Sequence, residues 1–304
     1  MQEAQAQDYE DVRAQFEAFI NNANNTPLPS TGTIYWQMNK GWPSMLWQLY
    51  NFDGDQSGSY FGAQEANRSL HALYSLGNGT VTLDNLSNTT QSGLSVEAKV
   101  YNLSGAVTND QTASNISLTS QQVLNNVLTP VVPTSGVQTY FVELQLKQNN
   151  TLIDRNVYWL STQPDVVNWS KSLGQPVGTV NTYANLTGLQ TLPAIPQSSI
   201  SATSVTTNQS GPNGADRSTT VTITNNSSSV AFLLRADIRR GTSGGQELSG
   251  DNELQSSLWQ NNDITLFPGE SQTLTVTWNS ADLAGATPVV SISGWNLTKF
   301  DILA

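Results

Sequence analysis

The spacing of hydrophobic and polar positions changes once along this chain. Over residues 7–22, Tyr9, Val12, Phe16, Phe19 and Ile20 recur at helical spacing, with Glu, Asp, Arg and Gln on the other face, which predicts an amphipathic helix. After the loop "NNANNTPLPSTG", the run "TIYWQMN" is short, β-branched and aromatic, and reads as a buried strand. "PSMLWQLYN" and "SYFGAQEANRSLHALYSL" then read as helices, the second setting Ala66, Leu70 and Leu73 on one side and carrying His71 as a buried, hydrogen-bonded histidine. Helix, strand, helix is the order expected at the end of an α/β domain.

From Gly79 the period drops to two. "TVTLDNL", "LSVEAKVYNL", "TYFVELQLKQ" and "IDRNVYWLST" are strand-like runs separated by Gly, Asn, Ser and Pro turns, as in an immunoglobulin-like β-sandwich. A Pro/Gly/Asn-rich stretch follows, and then a second all-β set in "ATSVTTNQ", "RSTTVTITNN", "AFLLRADIRR", "NDITLFPGESQTLTVTW" and "PVVSISGWN". The expected fold class is mainly β. Its domains are residues 1–75 as an α/β piece, 76–165 as a first sandwich, 166–196 as linker and entry loop, and 197–304 as a second sandwich.

Composition excludes several chemistries. Twelve Lys+Arg against 23 Asp+Glu give a net charge of −11, which repels phosphate backbones, so no nucleic-acid partner is expected. No apolar run approaches the ~18 residues of a spanning helix, so no membrane partner is expected either. Without cysteine there is no thiol chemistry, and the single histidine leaves no cluster for a zinc site or a Ser-His-Asp arrangement; no metal or other cofactor is expected. Chemistry in such a chain falls to carboxylates. The turn "NFDGDQSG" carries Asp53 and Asp55, but lacks the terminal Glu of a calcium loop and reads as solvated.

Fourteen Asn-X-Ser/Thr sequons, with the low lysine content, point to an extracellular, glycosylated protein. The first residues, "MQEAQAQDYEDVRAQFEAF", carry no signal peptide. Both observations are met if residue 1 is not the natural start.

The segments "GTIYWQMNKGWPSMLWQLYNF", "SYFGAQEANRSLHALYS", "DRNVYWLST", "LFPGESQTLTVTW" and "ISGWN", in this order, resemble the C-terminal part of glycoside hydrolase family 2 enzymes of the exo-β-D-glucosaminidase type. The resemblance runs from about Asp8 to Ile302; "YWQMN-x-x-WPS" and "RNVYWLST" are its specific motifs, and "PGES" is a generic sandwich turn. It implies that residues 1–75 are the last helix, strand and helix of a (β/α)8 barrel and that the two sandwiches are the enzyme's last immunoglobulin-like domains. It implies as partners the missing N-terminal domains of the same enzyme and a carbohydrate substrate, chitosan oligomers, from which glucosamine is released at the non-reducing end. A retaining mechanism needs two carboxyls about 5–5.5 Å apart. The barrel-like region offers Glu3, Glu10, Glu17 and Glu65, all on helical segments that would lie outside a barrel, so no catalytic residue is assigned in this chain.

By the same resemblance, Trp36, Asn39 and Trp42 are the expected substrate-binding residues, at the end of the last barrel strand. Trp36 would offer an aromatic face to the sugar C–H groups, and Asn39 a donor and an acceptor to its hydroxyls. Trp47, Trp159 and Trp278 read as core residues, whereas Trp169 and Trp259, in loops, are open to carbohydrate contact. "QEANRSLH" departs from the "KKANEPLH" common in relatives, which removes a basic pair. Two alternatives stay open: a β-mannosidase-type enzyme, because "YWQ-x-N" also occurs there, and a noncatalytic tandem sandwich binding glycans or partner proteins. If residues 1–75 are one strand's worth of a barrel, a chain begun near Leu76 is expected to fold and to be more soluble.

Overall fold

The computed structural model describes residues 34–35, 37–43, 48–172, 179–209, 215–250, 252–255 and 257–304. The protein is mainly β and divides into two compact units. One comprises residues 67–192; the other joins residues 193–304 to the described part of residues 34–66.

In the first unit, β1 (Leu70–Tyr74), β2 (Val81–Asn85) and β5 (Gln122–Leu128) form one antiparallel sheet in the order β1-β2-β5. β3 (Gln91–Tyr101), β4 (Val107–Leu118), β6 (Thr139–Gln148) and β7 (Thr151–Ser161) form the other, ordered β4-β3-β6-β7. Alternation explains the layering. Leu94, Val96, Ala98 and Val100 of β3 lie beside Leu146, Leu144 and Val142 of β6 and are buried in one core with Ala72, Tyr74, Val81 and Leu83 of the opposite sheet. Glu97, on the other face of β3, meets Lys99 and Lys147 at 2.8 Å each. Asn149 and Asn150, both at positive φ, close β6 onto β7 as a two-residue turn whose twist matches the strands. A short hairpin of β8 (Val166–Val167) and β9 (Val180–Thr182) follows, with the single-turn helix at Trp169–Ser172 between them.

Residues 70–74 were expected to be helical and are strand. The helical spacing of Ala66, Leu70 and Leu73 competes with a two-residue period in which His71 and Leu73 lie on one face of β1, and pairing along all of β2, from Leu70↔Asn85 to Tyr74↔Val81, decides for the strand. The first sandwich therefore already has a strand ahead of residue 76.

In the second unit, β10 (Ile200–Asn208), β11 (Asp216–Asn225), β15 (Ser271–Asn279) and β13 (Leu258–Trp259) form a sheet in the order β10-β11-β15-β13. Its companion runs β14 (Ile264–Leu266), β12 (Ala231–Gly241), β16 (Thr287–Gly294), β17 (Leu297–Leu303). Thr219, Val221 and Ile223 of β11 and Leu274, Val276 and Trp278 of β15 are buried, and Thr220, Thr222, Thr273 and Thr277 point to the other face. Pro268 and Gly269 form the "PGES" turn, in which Gly269 adopts φ +83° and Glu270 N–H returns to Phe267 O at 3.0 Å.

The barrel expectation meets little regular structure. The helix over 7–22 lies outside the described residues, and so do residues 44–47. Of "TIYWQMN", the described residues show one isolated parallel bridge, Asn39↔Tyr50. The helix α1 (Gly58–Ala66) is present and carries Glu65 in a buried position.

Candidate functional site

Residues 37–43 and 48–57 are drawn together by backbone hydrogen bonds. Leu49 N–H donates to Gln37 O at 3.2 Å and Tyr50 N–H to Met38 O at 2.8 Å, which places Asn39 beside Tyr50. The chain then turns through "NFDGD": Asn51 N–H donates to Asp55 O at 2.8 Å, and Ser57 N–H returns to Leu49 O at 3.0 Å. The Ser57 and Ser59 hydroxyls both donate to Gln48 O, at 2.9 and 2.5 Å. Gly54, at φ +91°, allows the tight reversal.

This loop is seated on the outer face of β12. Arg235 is buried there, and its Nη2 donates to Asp55 Oδ2 at 2.7 Å and to Gln56 O at 2.9 Å. Its Nε and Nη1 reach Asp237 and Asp263 at 3.2 Å each. Four acceptors around one guanidinium match the fork of donors that Arg carries. Burial works against the charge on Arg235, but Asp263, Asp237, Asp55 and Glu253 raise its pKa further above the usual value. The Gln56 carboxamide, 1% exposed, makes a reciprocal pair with Trp259: Trp259 N–H donates to Gln56 Oε1 at 2.6 Å, and Gln56 Nε2 donates to Trp259 O at 3.1 Å. Trp259 lies on β13, the last strand of its sheet, and the side chain of Gln56 meets the peptide edge that a further strand would use.

Carboxylates outnumber cations in this cluster. Arg239 pairs with Asp237, Glu247 and Glu253 at 3.0–3.3 Å. Burial pushes the Asp55 carboxyl up to about 6; Arg235 opposes the rise, and Asp237, Asp263 and Asp53 add to it. Burial, Asp237 and Asp55 push Glu253 up to about 8 against the pull of Arg239 and Arg235.

The expected site residues fare differently. Asn39 is exposed beside Tyr50, and Trp42 is 66% exposed. Trp36 and Trp47 lie outside the described residues. Asp55 is not in a solvated turn, because Arg235 takes up its carboxylate. Trp259, expected in an open loop, is 3% exposed on β13. Trp169 is 75% exposed, whereas Trp159 and Trp278 are buried, the latter donating its indole N–H to Thr219 Oγ1 at 2.8 Å. His71 is buried as expected, with Nδ1 2.8 Å from Asp154 Oδ2. Gln56 and Arg235 gave no sequence signal, because a lone Gln in a turn and an Arg in a strand show nothing of the partners brought to them.

An exo-beta-D-glucosaminidase of Streptomyces avermitilis is 38% identical over 301 residues, 98% of this chain and 32% of that protein. Residues 177–297 match the family described as the exo-beta-D-glucosaminidase Ig-fold domain. The chain is homologous along nearly its whole length to part of the exo-β-D-glucosaminidases. The exo-beta-D-glucosaminidase of Amycolatopsis orientalis is 35% identical over 300 residues, covering 97% of this chain and 28% of that one. The crystal structure of Amycolatopsis orientalis exo-chitosanase CsxA matches 99% of this chain and 34% of its own at TM-score 0.82 and 34% identity. The chain thus spans about a third of the length of the curated relatives it matches.

Proposed function

We propose that this chain works as the C-terminal portion of a secreted exo-β-D-glucosaminidase of glycoside hydrolase family 2, which removes glucosamine from the non-reducing end of chitosan and chitooligosaccharides. The observation that carries this reading is the 98% coverage at 38% identity by a protein of that name. The likeness to the Amycolatopsis orientalis exo-chitosanase supports it. The acidic balance fits too, since a net charge of −11 attracts a polycation at pH values where chitosan amines are protonated. In this reading the two carboxyls of a retaining mechanism come from outside the chain. Trp36, Asn39 and Trp42 contribute contacts to the terminal sugar.

The experiment is a comparison of activities on aryl β-glucosaminide and aryl β-mannoside. The 304-residue chain is expected to hydrolyse neither, and the chain joined to the remaining domains of such an enzyme is expected to hydrolyse the glucosaminide. Turnover by the isolated chain overturns the placement of the catalytic carboxyls, and preferential turnover of the mannoside by the complete enzyme overturns the substrate. In that enzyme Trp42→Ala is expected to raise KM about tenfold, the order of one lost aromatic contact, without moving the unfolding midpoint, since the ring is largely exposed.

A further inference from the structure

We propose that Gln56 and Arg235 are positioning residues through which the second sandwich fixes the loop carrying Asn39 and Trp42. The proposal rests on the reading of that loop as sugar-contacting.

Packing does little to hold the side chains of Ile34, Met38 and Trp42, which are 95%, 67% and 66% exposed. Among the described residues, their stretch is tied to residues 49–50 by the hydrogen bonds that Gln37 O and Met38 O accept from Leu49 and Tyr50. Leu49 and Tyr50 are in turn fixed by Ser57 N–H on Leu49 O, by the bridge Tyr50↔Gln56 and by the two serine hydroxyls on Gln48 O. All of these links except the Ser59 hydroxyl end at Asp55–Ser57. That tripeptide is tied to the sandwich by the Arg235 contacts to Asp55 and Gln56 O and by the reciprocal Gln56–Trp259 pair. A buried carboxamide suits this edge because it offers one acceptor and one donor to a peptide group; Glu offers only acceptors when ionised and would face Trp259 O with a second oxygen. Arg235 suits its place because Lys, a point charge, cannot bind Asp55 and Gln56 O while holding Asp237 and Asp263. The anchor uses Arg235 on the outer face of β12 and the peptide edge of β13, whereas Val221, Ile223, Leu234 and Val276 are buried in the sandwich core, so loosening it is expected to leave that core in place.

Gln56→Glu tests this in two readouts. Amide hydrogen exchange at Leu49, Tyr50 and Ser57 in the variant chain is expected to accelerate about tenfold or more, with Val221 and Val276 unchanged, because a lost buried hydrogen bond lowers local rather than global stability. In the complete enzyme KM for an aryl glucosaminide is expected to rise about tenfold with kcat less affected, the mark of lost substrate positioning. Unchanged exchange at Tyr50 in a folded variant overturns the anchor itself. Faster exchange with unchanged KM overturns the positioning role, and because Trp42→Ala probes the loop directly, a raised KM there with an unchanged KM here leaves the sugar-contacting reading standing. Should Gln56→Glu fail to fold, Arg235→Lys, which keeps the charge but cannot reach Asp55 and Gln56 O together, is read by the same two measurements.

Discussion

Asp154 joins three points of the first sandwich. Its carboxylate, on β7, accepts from Arg68 Nη1 at 2.5 Å and from Ala72 N–H at 2.9 Å, and it faces His71 Nδ1 at 2.8 Å. Burial would raise this carboxyl, but His71, Arg68 and the Ala72 N–H together hold it at about 2, below its ordinary 3.8. A depressed folded pKa stabilises above the unfolded value, and that contribution is lost as pH falls through the folded one. Asp154→Ala is therefore expected to cost about 3–5 kcal/mol at neutral pH, as for other buried pairs left with one partner, and the gap to the parent in urea titrations should close between pH 4 and pH 2. Asp84 is the opposite case. It lies across from His71 on β2, its Oδ1 has no partner among the described residues, and burial raises it to about 6 although His71 pulls it down. Its contribution is present at low pH and lost as pH rises through about 6, so Asp84→Asn should raise the unfolding midpoint more at pH 8 than at pH 5.

β2 and β11 each end in a corner built in the same way. Asn85 Oδ1 accepts from the N–H and hydroxyl of Ser87, and its Nδ2 donates to Thr89 O, Leu118 O and Thr119 O. Asn225 accepts likewise from Ser227 and donates to Ser229 O and Leu266 O. Both asparagines are fully buried. Sequons at Asn78, Asn102, Asn168 and Asn185 make the same bond from the Ser/Thr hydroxyl two residues on. The Asn-X-Ser/Thr pattern thus has a turn-forming reason as well as a glycosylation one. Asn85→Ala and Asn225→Ala are each expected to cost about 1–3 kcal/mol, the penalty for stranding buried backbone carbonyls. Glycopeptide mass spectrometry on secreted material should find Asn85 and Asn225 unmodified and any glycan on exposed sequons such as Asn88 or Asn208; a glycan on Asn225 of folded protein contradicts the corner. β4 and β5 were not legible as strands. β4, "VTNDQTASNISL", sits at a sheet edge with most residues exposed, so nothing imposes a hydrophobic alternation, and only its pairing with β3 identifies it.

The second unit as a whole carries more acid than it can pair. Asp55 and Glu253, raised to about 6 and about 8, bind protons more tightly folded than unfolded, so their contribution is complete below about pH 4 and is lost as pH rises to 8. The thermal midpoint of this unit is expected to fall steadily from pH 5 to pH 8, and Glu253→Gln to flatten that slope; a midpoint that rises over this range refutes the assignment. The expectation that a chain begun near Leu76 would be the better behaved is reversed. Such a cut removes β1, which pairs along the whole of β2, and removes Asp55 and Gln56 from a buried arginine and a strand edge. That shortened chain should unfold at lower temperature and aggregate, since it exposes the edge of β2 and the outer face of β12.

Local pattern reports which face of a strand is buried, and that was enough for the alternation in β3, β6, β11 and β15, the turn at Pro268 and Gly269, and, through its motifs, the glucosaminidase kinship. Helical and strand spacing overlap in a run as short as residues 70–74, and β2 chose between them. The roles of Asp55, Gln56 and Trp259 depend on partners remote along the chain: Gln56 and Trp259 are 203 residues apart, and Asp55 and Arg235 are 180. A single charged or amide residue carries no record of a partner at that separation. Burial and hydrogen bonding, which fix its chemistry, exist only once the sheets are stacked and the loop is laid across β12.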